Sequence, residues 1–210
     1  MDINLGRQRV IGRDAEVFAY ELFYREGSNN SFPHICSNKA TERLIINNGL
    51  DGGVYHVTNG SKAMINFCEK SLLKGLFKEL RPEEVVVEIL ETVNPTDEIY
   101  NICCELLSMG YEVALDDFHY NEKWDRFLNI VSMVKFDVIE TPLETISHIL
   151  DKINMINATL KRPRIKLLAE KVETSDVYEK AKEMNFDYFQ GFLFGHTELV
   201  SYDYKQVITA

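Results

Sequence analysis

Short apolar runs rich in β-branched and aromatic residues alternate along this chain with longer stretches whose apolar positions recur at helical spacing. That alternation predicts repeated strand–helix units around a parallel sheet. Strands are expected at Arg7 to Ile11, Val17 to Tyr24, Ala63 to Phe67, Val85 to Ile89, Glu112 to Asp116, Met133 to Phe136, Ile165 to Ala169 and Tyr188 to Phe192. Helices are expected at Asn38 to Asn48, Ser71 to Leu80, Thr96 to Met109, Glu122 to Val131, Leu143 to Leu160 and Ser175 to Met184. Asn94-Pro95 before the third helix, Gly110 after it, and Thr174 or Ser175 before the sixth supply start and stop signals. Glu26 to Ser37 and Asp51 to Ser61 lack periodicity and are read as loops.

Only the first two strands are joined tightly, through Gly12-Arg13-Asp14, so they are expected to form an antiparallel hairpin before the parallel units begin. Eight strands in this order point to an α/β fold, a TIM-like (β/α)8 barrel with an antiparallel first strand. With 210 residues and 45% hydrophobic content, the chain is read as one domain over residues 1–210.

A net charge of −10 argues against a duplex nucleic-acid partner. No stretch reaches the roughly 20 apolar residues that span a bilayer, and the N-terminus lacks a secretory h-region, so a soluble cytoplasmic protein is expected. Cys36, Cys68, Cys103 and Cys104 have no CxxC spacing, and the neighbours Cys103 and Cys104 are read as small hydrophobes inside a helix. His34, His56, His119, His148 and His196 have no zinc-site spacing, which leaves oxygen donors for any metal.

Barrel enzymes carry their chemistry at the carboxyl ends of the strands, and here those ends are acidic. Glu21 interrupts AYELFYR, Asn66 ends MINF, Glu88 interrupts VVVEIL and Asp116-Asp117 end VALDD. Lys135 interrupts MVKFD, Glu170 ends KLLAE and Gln190 ends YFQ. Each has an ordinary reading alone: salt-bridged carboxylates, a satisfied core amide, an outward Lys135, a turn-forming Gln190. Together, carboxylates among apolar neighbours cost several kcal/mol to bury unless paired or bound to metal. The repulsion between Asp116 and Asp117 calls for a divalent cation, and an all-oxygen donor set suits Mg²⁺ or Mn²⁺.

The ordered motifs Glu21-Leu22-Phe23 with Arg25, Val87-Glu88-Ile89-Leu90-Glu91, Ala114-Leu115-Asp116-Asp117-Phe118, Val134-Lys135-Phe136-Asp137, Ala169-Glu170-Lys171-Val172-Glu173-Thr174 and Gln190-Gly191-Phe192-Leu193-Phe194 resemble the EAL-domain phosphodiesterases that linearise cyclic di-GMP. The segments FAYELFYR, NNSFP, KATERL, AMINF, VVVEILETV and GYEVALDDF are similar to the subfamily in which an HDOD domain follows the EAL domain. The resemblance implies two metal ions, one held by Glu21, Asn66, Glu88 and Asp116 and another by Asp116, Asp117 and Glu170. It assigns Arg25 to a ligand phosphate, Lys135 and Glu170 to the attacking water, Gln190 and Glu173 to supporting contacts, and Glu91 to steadying the loop after Asp117.

It further implies hydrolysis of cyclic di-GMP to linear pGpG, a homodimer through that loop and its following helix, and a regulatory or HDOD partner domain. Where such proteins typically continue Gly-Thr-Gly or Gly-Ala-Gly after the Asp-Asp-Phe motif, this chain has His119-Tyr120-Asn121, and Lys171 replaces a usual glycine. The altered loop motivates a second reading, a cyclic di-GMP-binding sensor with weak or no turnover; a ligand-free scaffold is the third. Trp124, with Phe127 and Leu128, is assigned to the buried face of a helix or to a dimer contact.

Overall fold

The computed structural model describes residues 2–25, 37–47 and 50–203. Strand β1 (Asp2–Gly12) turns through residues 13–16 into β2 (Val17–Tyr24), with the Gly12 N–H donating to Glu16 O at 2.9 Å. After α1 (Ser37–Glu42) and α2 (Leu50–Val57) come β3 (Lys62–Phe67), α3 (Glu69–Leu73), β4 (Val85–Ile89), α4 (Asp97–Ser108) and β5 (Glu112–Leu115). Then follow α5 (Asp125–Leu128), β6 (Met133–Asp137), α6 (Ser147–Thr159), β7 (Lys166–Glu170), α7 (Ser175–Glu183), β8 (Tyr188–Phe189) and β9 (Glu198–Asp203).

Strands β2 to β8 pair in parallel, in sequence order. Strand β1 runs antiparallel between β2 and β8 and closes the ring. The expected barrel with its antiparallel first strand is therefore observed, with the β1–β2 hairpin in place of one strand–helix unit. The N-terminal half of β1 continues past the ring and pairs with β9, from Asp2↔Asp203 to Arg7↔Glu198. That pairing is why β1 starts earlier than the apolar run suggested, and β9 was not anticipated.

Strand alternation sorts the core into two shells. Val10, Ala19, Met64, Val86, Ala114, Met133 and Leu168 are fully buried inside the ring. Outward positions such as Leu22, Ile65, Val87, Val113, Val134 and Leu167 pack against the helices. The Thr96 hydroxyl caps α4 by accepting from Ile99 N–H, and the helix buries Ile99, Cys103 and Leu106. The Thr174 hydroxyl accepts from Val177 N–H at the start of α7.

Several sequence expectations need correction. Residues 51–57, read as loop, belong to α2; Gly52-Gly53 masked the helical spacing of Leu50, Val54 and Val57, and the last two are buried. The helix expected at Ser71 to Leu80 breaks at Gly75, whose φ of 67° is left-handed, and resumes as a tight turn over Leu76–Glu79. The helix expected from Glu122 to Val131 is a tight turn, Glu122–Trp124, leading into the short α5, and Leu143–Thr145 forms a similar turn before α6. In the first helix, α1 passes into a wider turn at Arg43–Asn47, while Asn48 lies outside the described residues. Of the segment Glu26 to Ser37 expected to be a loop, residues 26–36, with His34 and Cys36, also lie outside the described residues, and Ser37 opens α1.

Cys103 is buried as expected, but Cys104, next to it on α4, is exposed to solvent. Trp124 is core, packed edge-on against Phe118 and Phe127. No helix among the described residues is long and apolar enough to cross a membrane.

Candidate functional site

One step of two residues along each strand separates the inner apolar layer from a polar one. Above Val10, Ala19, Met64, Val86, Ala114, Met133 and Leu168 stand Gln8, Glu21, Asn66, Glu88, Asp116, Lys135 and Glu170, and Gln190 stands above Tyr188. The fold therefore aims all eight side chains into one end of the ring.

At the centre is Lys135, which is 0% exposed and so is not the outward charge of its ordinary reading. Its ammonium lies 2.6 Å from Glu88 Oε1, 2.6 Å from Asp116 Oδ1, 3.0 Å from Glu170 Oε1 and 3.7 Å from Glu21 Oε2. Glu21 is further fixed by Asn66 Nδ2, donating to Oε1 at 2.7 Å, and by Gln190 Nε2, donating to Oε2 at 2.9 Å. One cation thus faces four carboxylates. Desolvation works to lower the Lys135 pKa, but Asp116, Glu170, Glu21 and Glu88 together raise it well above the ordinary value. Burial holds the Glu88 and Glu170 carboxyls well above the usual carboxylate range against the opposing pull of Lys135. Burial, then the adjacent Asp116 charge, pushes Asp117 up to about 6.

A pocket of about 570 Å³ opens above this layer. Glu21, Arg25, Asn66, Glu91, Asp116, Asp117, Glu170, Glu173 and Gln190 line it, whereas Glu88 and Lys135 are fully buried beneath. All the sequence-selected residues thus converge. Glu91, anticipated only as loop support, has a carboxylate oxygen within 4.8 Å of oxygens on Asp116 and Asp117. Sequence reading missed Gln8, Phe23, Phe192 and Thr197, which also border the pocket. Gln8 was detectable as a polar residue two positions from Val10 in an apolar strand, whereas the other three carry no chemical signal.

The acceptors in this layer outnumber the donors. Glu88 Oε2, Glu170 Oε2 and Asn66 Oδ1 are buried without a hydrogen-bond partner, and Glu88 Oε1 meets only the Lys135 ammonium. Such atoms normally cost about 1–3 kcal/mol each, and a bare cation satisfies acceptors of this kind. The donor set is all oxygen, which fits a hard divalent ion.

The sequence profile of the EAL domain matches residues 60–197 of this chain. The chain belongs to the EAL family. Cyclic di-GMP phosphodiesterase CdgJ of Vibrio cholerae is 37% identical over 202 residues, 95% of this chain and 45% of that protein. The Bacillus subtilis protein YuxH, uncharacterised, is 32% identical over 206 residues, 96% of this chain and 49% of that protein. The chain thus spans about half the length of these relatives. Among solved structures, a manganese and cyclic di-GMP complex of Klebsiella pneumoniae BlrP1 superposes with a TM-score of 0.73 at 19% identity, covering 96% of this chain and 60% of that one. The EAL domain of Mycobacterium smegmatis DcpA gives 0.66 at 20% identity, covering 94% and 92%. The EAL profile begins at residue 60, yet the barrel needs β1 and β2 to close, and β2 carries Glu21.

Gly191 of the EAL fold has no room for a side chain. At its φ of 155° an added Cβ would lie 2.2 Å from Val172 O and 2.3 Å from Val172 N, whose N–H donates to Gln190 O at 2.9 Å. Gly191→Ala is expected to break that bond, displace Gln190 from Glu21 and cost on the order of 3 kcal/mol, read as a shifted urea midpoint with unchanged slope.

Proposed function

We propose that this chain is a metal-dependent phosphodiesterase that opens cyclic di-GMP to linear pGpG in bacterial second-messenger signalling, and that residues 1–210 form one EAL domain. The observation that carries the reading is the layer of unpartnered oxygen acceptors around Lys135, facing a pocket with Arg25 at its wall. CdgJ bears the name of a cyclic di-GMP phosphodiesterase, and BlrP1 has been solved with manganese and with calcium, each alongside cyclic di-GMP.

Two Mg²⁺ or Mn²⁺ ions would be held by Glu21, Asn66, Glu88 and Asp116 and by Asp116, Asp117 and Glu170; what supports this is that Asp116 and Asp117 bring carboxylate oxygens together with Glu91 at the pocket. When bound, such ions offset the phosphodiester charge and make water a competent nucleophile near neutral pH. Arg25 engages a phosphate oxygen, while Gln190 and Glu173 orient the ligand. Glu170, at the edge of the pocket, takes the proton as the water oxygen bonds to phosphorus. The bond from phosphorus to the 3′-oxygen breaks, that oxygen keeps the electron pair and takes a proton from solvent while Glu170 returns its own to solvent, and the 5′-phosphate remains on pGpG. Lys135 holds Glu170, Asp116 and Glu88 in register throughout.

A second reading, a sensor that binds without turnover, is favoured by His119-Tyr120-Asn121. Incubation with cyclic di-GMP and either Mn²⁺ or Mg²⁺, with a Glu21→Ala control, separates the two. Metal-dependent pGpG supports the enzyme; binding in calorimetry without pGpG overturns it in favour of the sensor.

Metal binding should also be pH-dependent. Asp117 titrates near 6, above the ordinary 3.8, so the folded metal-free state holds that proton more tightly than the unfolded one. Its ionisation therefore removes stability as pH rises from about 4 to about 6. Because a bound ion requires the ionised carboxylate, the Mn²⁺-induced rise in melting temperature should grow between about pH 5 and about pH 8. At about pH 5 only about a tenth of Asp117 is ionised, and Mn²⁺ affinity should fall about tenfold or more in titration calorimetry.

A further inference from the structure

Directly after the Asp pair the chain must turn out of β5 and reach α5, and Asp117 already sits at a left-handed φ of 39° without being glycine. Three side-chain anchors shape this segment. Phe118 is buried edge-on against Trp124 and Phe136, and its N–H donates to Lys135 O at 2.9 Å. Asn121 Oδ1 accepts from Lys123 N–H at 3.1 Å, starting the turn into α5. The third anchor reaches across the fold to α6. Tyr120 donates its hydroxyl to Asp125 Oδ1 at 2.8 Å, and Lys152 of α6 donates to the same hydroxyl. The Lys152 ammonium also lies 2.6 Å from Asp125 Oδ1 and 4.5 Å from the Tyr120 ring centre.

We propose that Tyr120, Asp125 and Lys152 form a latch that holds the loop carrying Asp117 in position for the metal, making Lys152 and Tyr120 positioning residues for a site they do not line. The proposal rests on the metal-site reading given above. A plain surface ion pair between Lys152 and Asp125 would contribute little, because both side chains are partly exposed, at 34% and 46%. The Tyr120 hydroxyl distinguishes this cluster. It belongs to the loop itself, three residues from Asp117, and is both donor and acceptor between α5 and α6. In a strained segment without glycine, each such contact narrows the positions open to the Asp117 carboxylate. The latch therefore acts mainly on metal affinity and only slightly on fold stability.

The test measures Mn²⁺ affinity by titration calorimetry on the nucleotide-free protein, alongside the melting temperature without metal. Tyr120→Phe removes the hydroxyl and keeps the ring, and Lys152→Met removes the charge and keeps the stem. Each is expected to weaken Mn²⁺ binding about 5- to 10-fold, with the metal-free melting temperature shifted by no more than about 2–4 °C. The double variant should lose little more than either single one, and Lys152→Arg should retain most of the affinity. Unchanged Mn²⁺ affinity in both single variants, while Asp117→Asn weakens it, overturns the latch and leaves the metal site standing. Failure of the unaltered protein to bind Mn²⁺ overturns the metal-site reading and the latch with it.

Discussion

Lys135→Met is expected to destabilise the metal-free protein by about 3–5 kcal/mol, enough to unfold much of it at ordinary temperatures. The ammonium is fully buried and lies within 3.7 Å of four carboxylates. Its removal leaves Glu21, Glu88, Asp116 and Glu170 facing each other in a medium of low dielectric, without a counter-charge. Methionine matches the volume of the stem, so the loss comes from charge and not from a cavity. Urea unfolding at neutral pH reads the effect. Lowering the pH should return part of the stability, because Glu88 and Glu170 take up protons readily and their mutual repulsion then falls. A Lys135→Met protein as stable as the unaltered one would contradict the role assigned to this ammonium.

The second large effect falls on turnover. Asp116→Asn should reduce pGpG formation by more than about 100-fold while the metal-free melting temperature holds or rises. Asp116 takes the Lys135 hydrogen bond at 2.6 Å, lines the pocket beside Asp117 and is shared by both proposed ion sites. An amide preserves its shape and removes one negative charge from an over-acidic layer, which eases the repulsion that a cation would otherwise offset. Opposite signs for stability and activity are what a functional site predicts. A loss of activity that merely follows a loss of fold would point instead to a structural role.

Much of this site can be read in the chain because strand periodicity is rigid. Once Ala19, Met64, Val86 and Leu168 face inward, Glu21, Asn66, Glu88 and Glu170 two residues on must face the same way. The sign of that alternation was harder to read in MVKFD, where a lysine inside a barrel is the costlier choice until its four partners are known. Those partners come from β2, β4 and β7 and from Asp116 just after β5, contacts that only the closed ring creates. Residues 51–57 were misread because two adjacent glycines weaken a helical pattern that Val54 and Val57 complete by packing. Strand β9 was missed because pairing with residues 2–7 depends on the closure of the chain and leaves no local signature. Cys104 illustrates the reverse error: an apolar-looking pair was read as buried, although adjacent helical residues point in different directions.

The most direct test of the account is mass analysis of the products formed from cyclic di-GMP and Mn²⁺ in water enriched in the heavy oxygen isotope. Water attack on phosphorus predicts linear pGpG carrying one heavy oxygen on its 5′-phosphate, with Asp116→Asn forming less than about a hundredth as much. Cyclic di-GMP recovered intact, from protein that binds both it and Mn²⁺, would contradict the phosphodiesterase and leave a binding module.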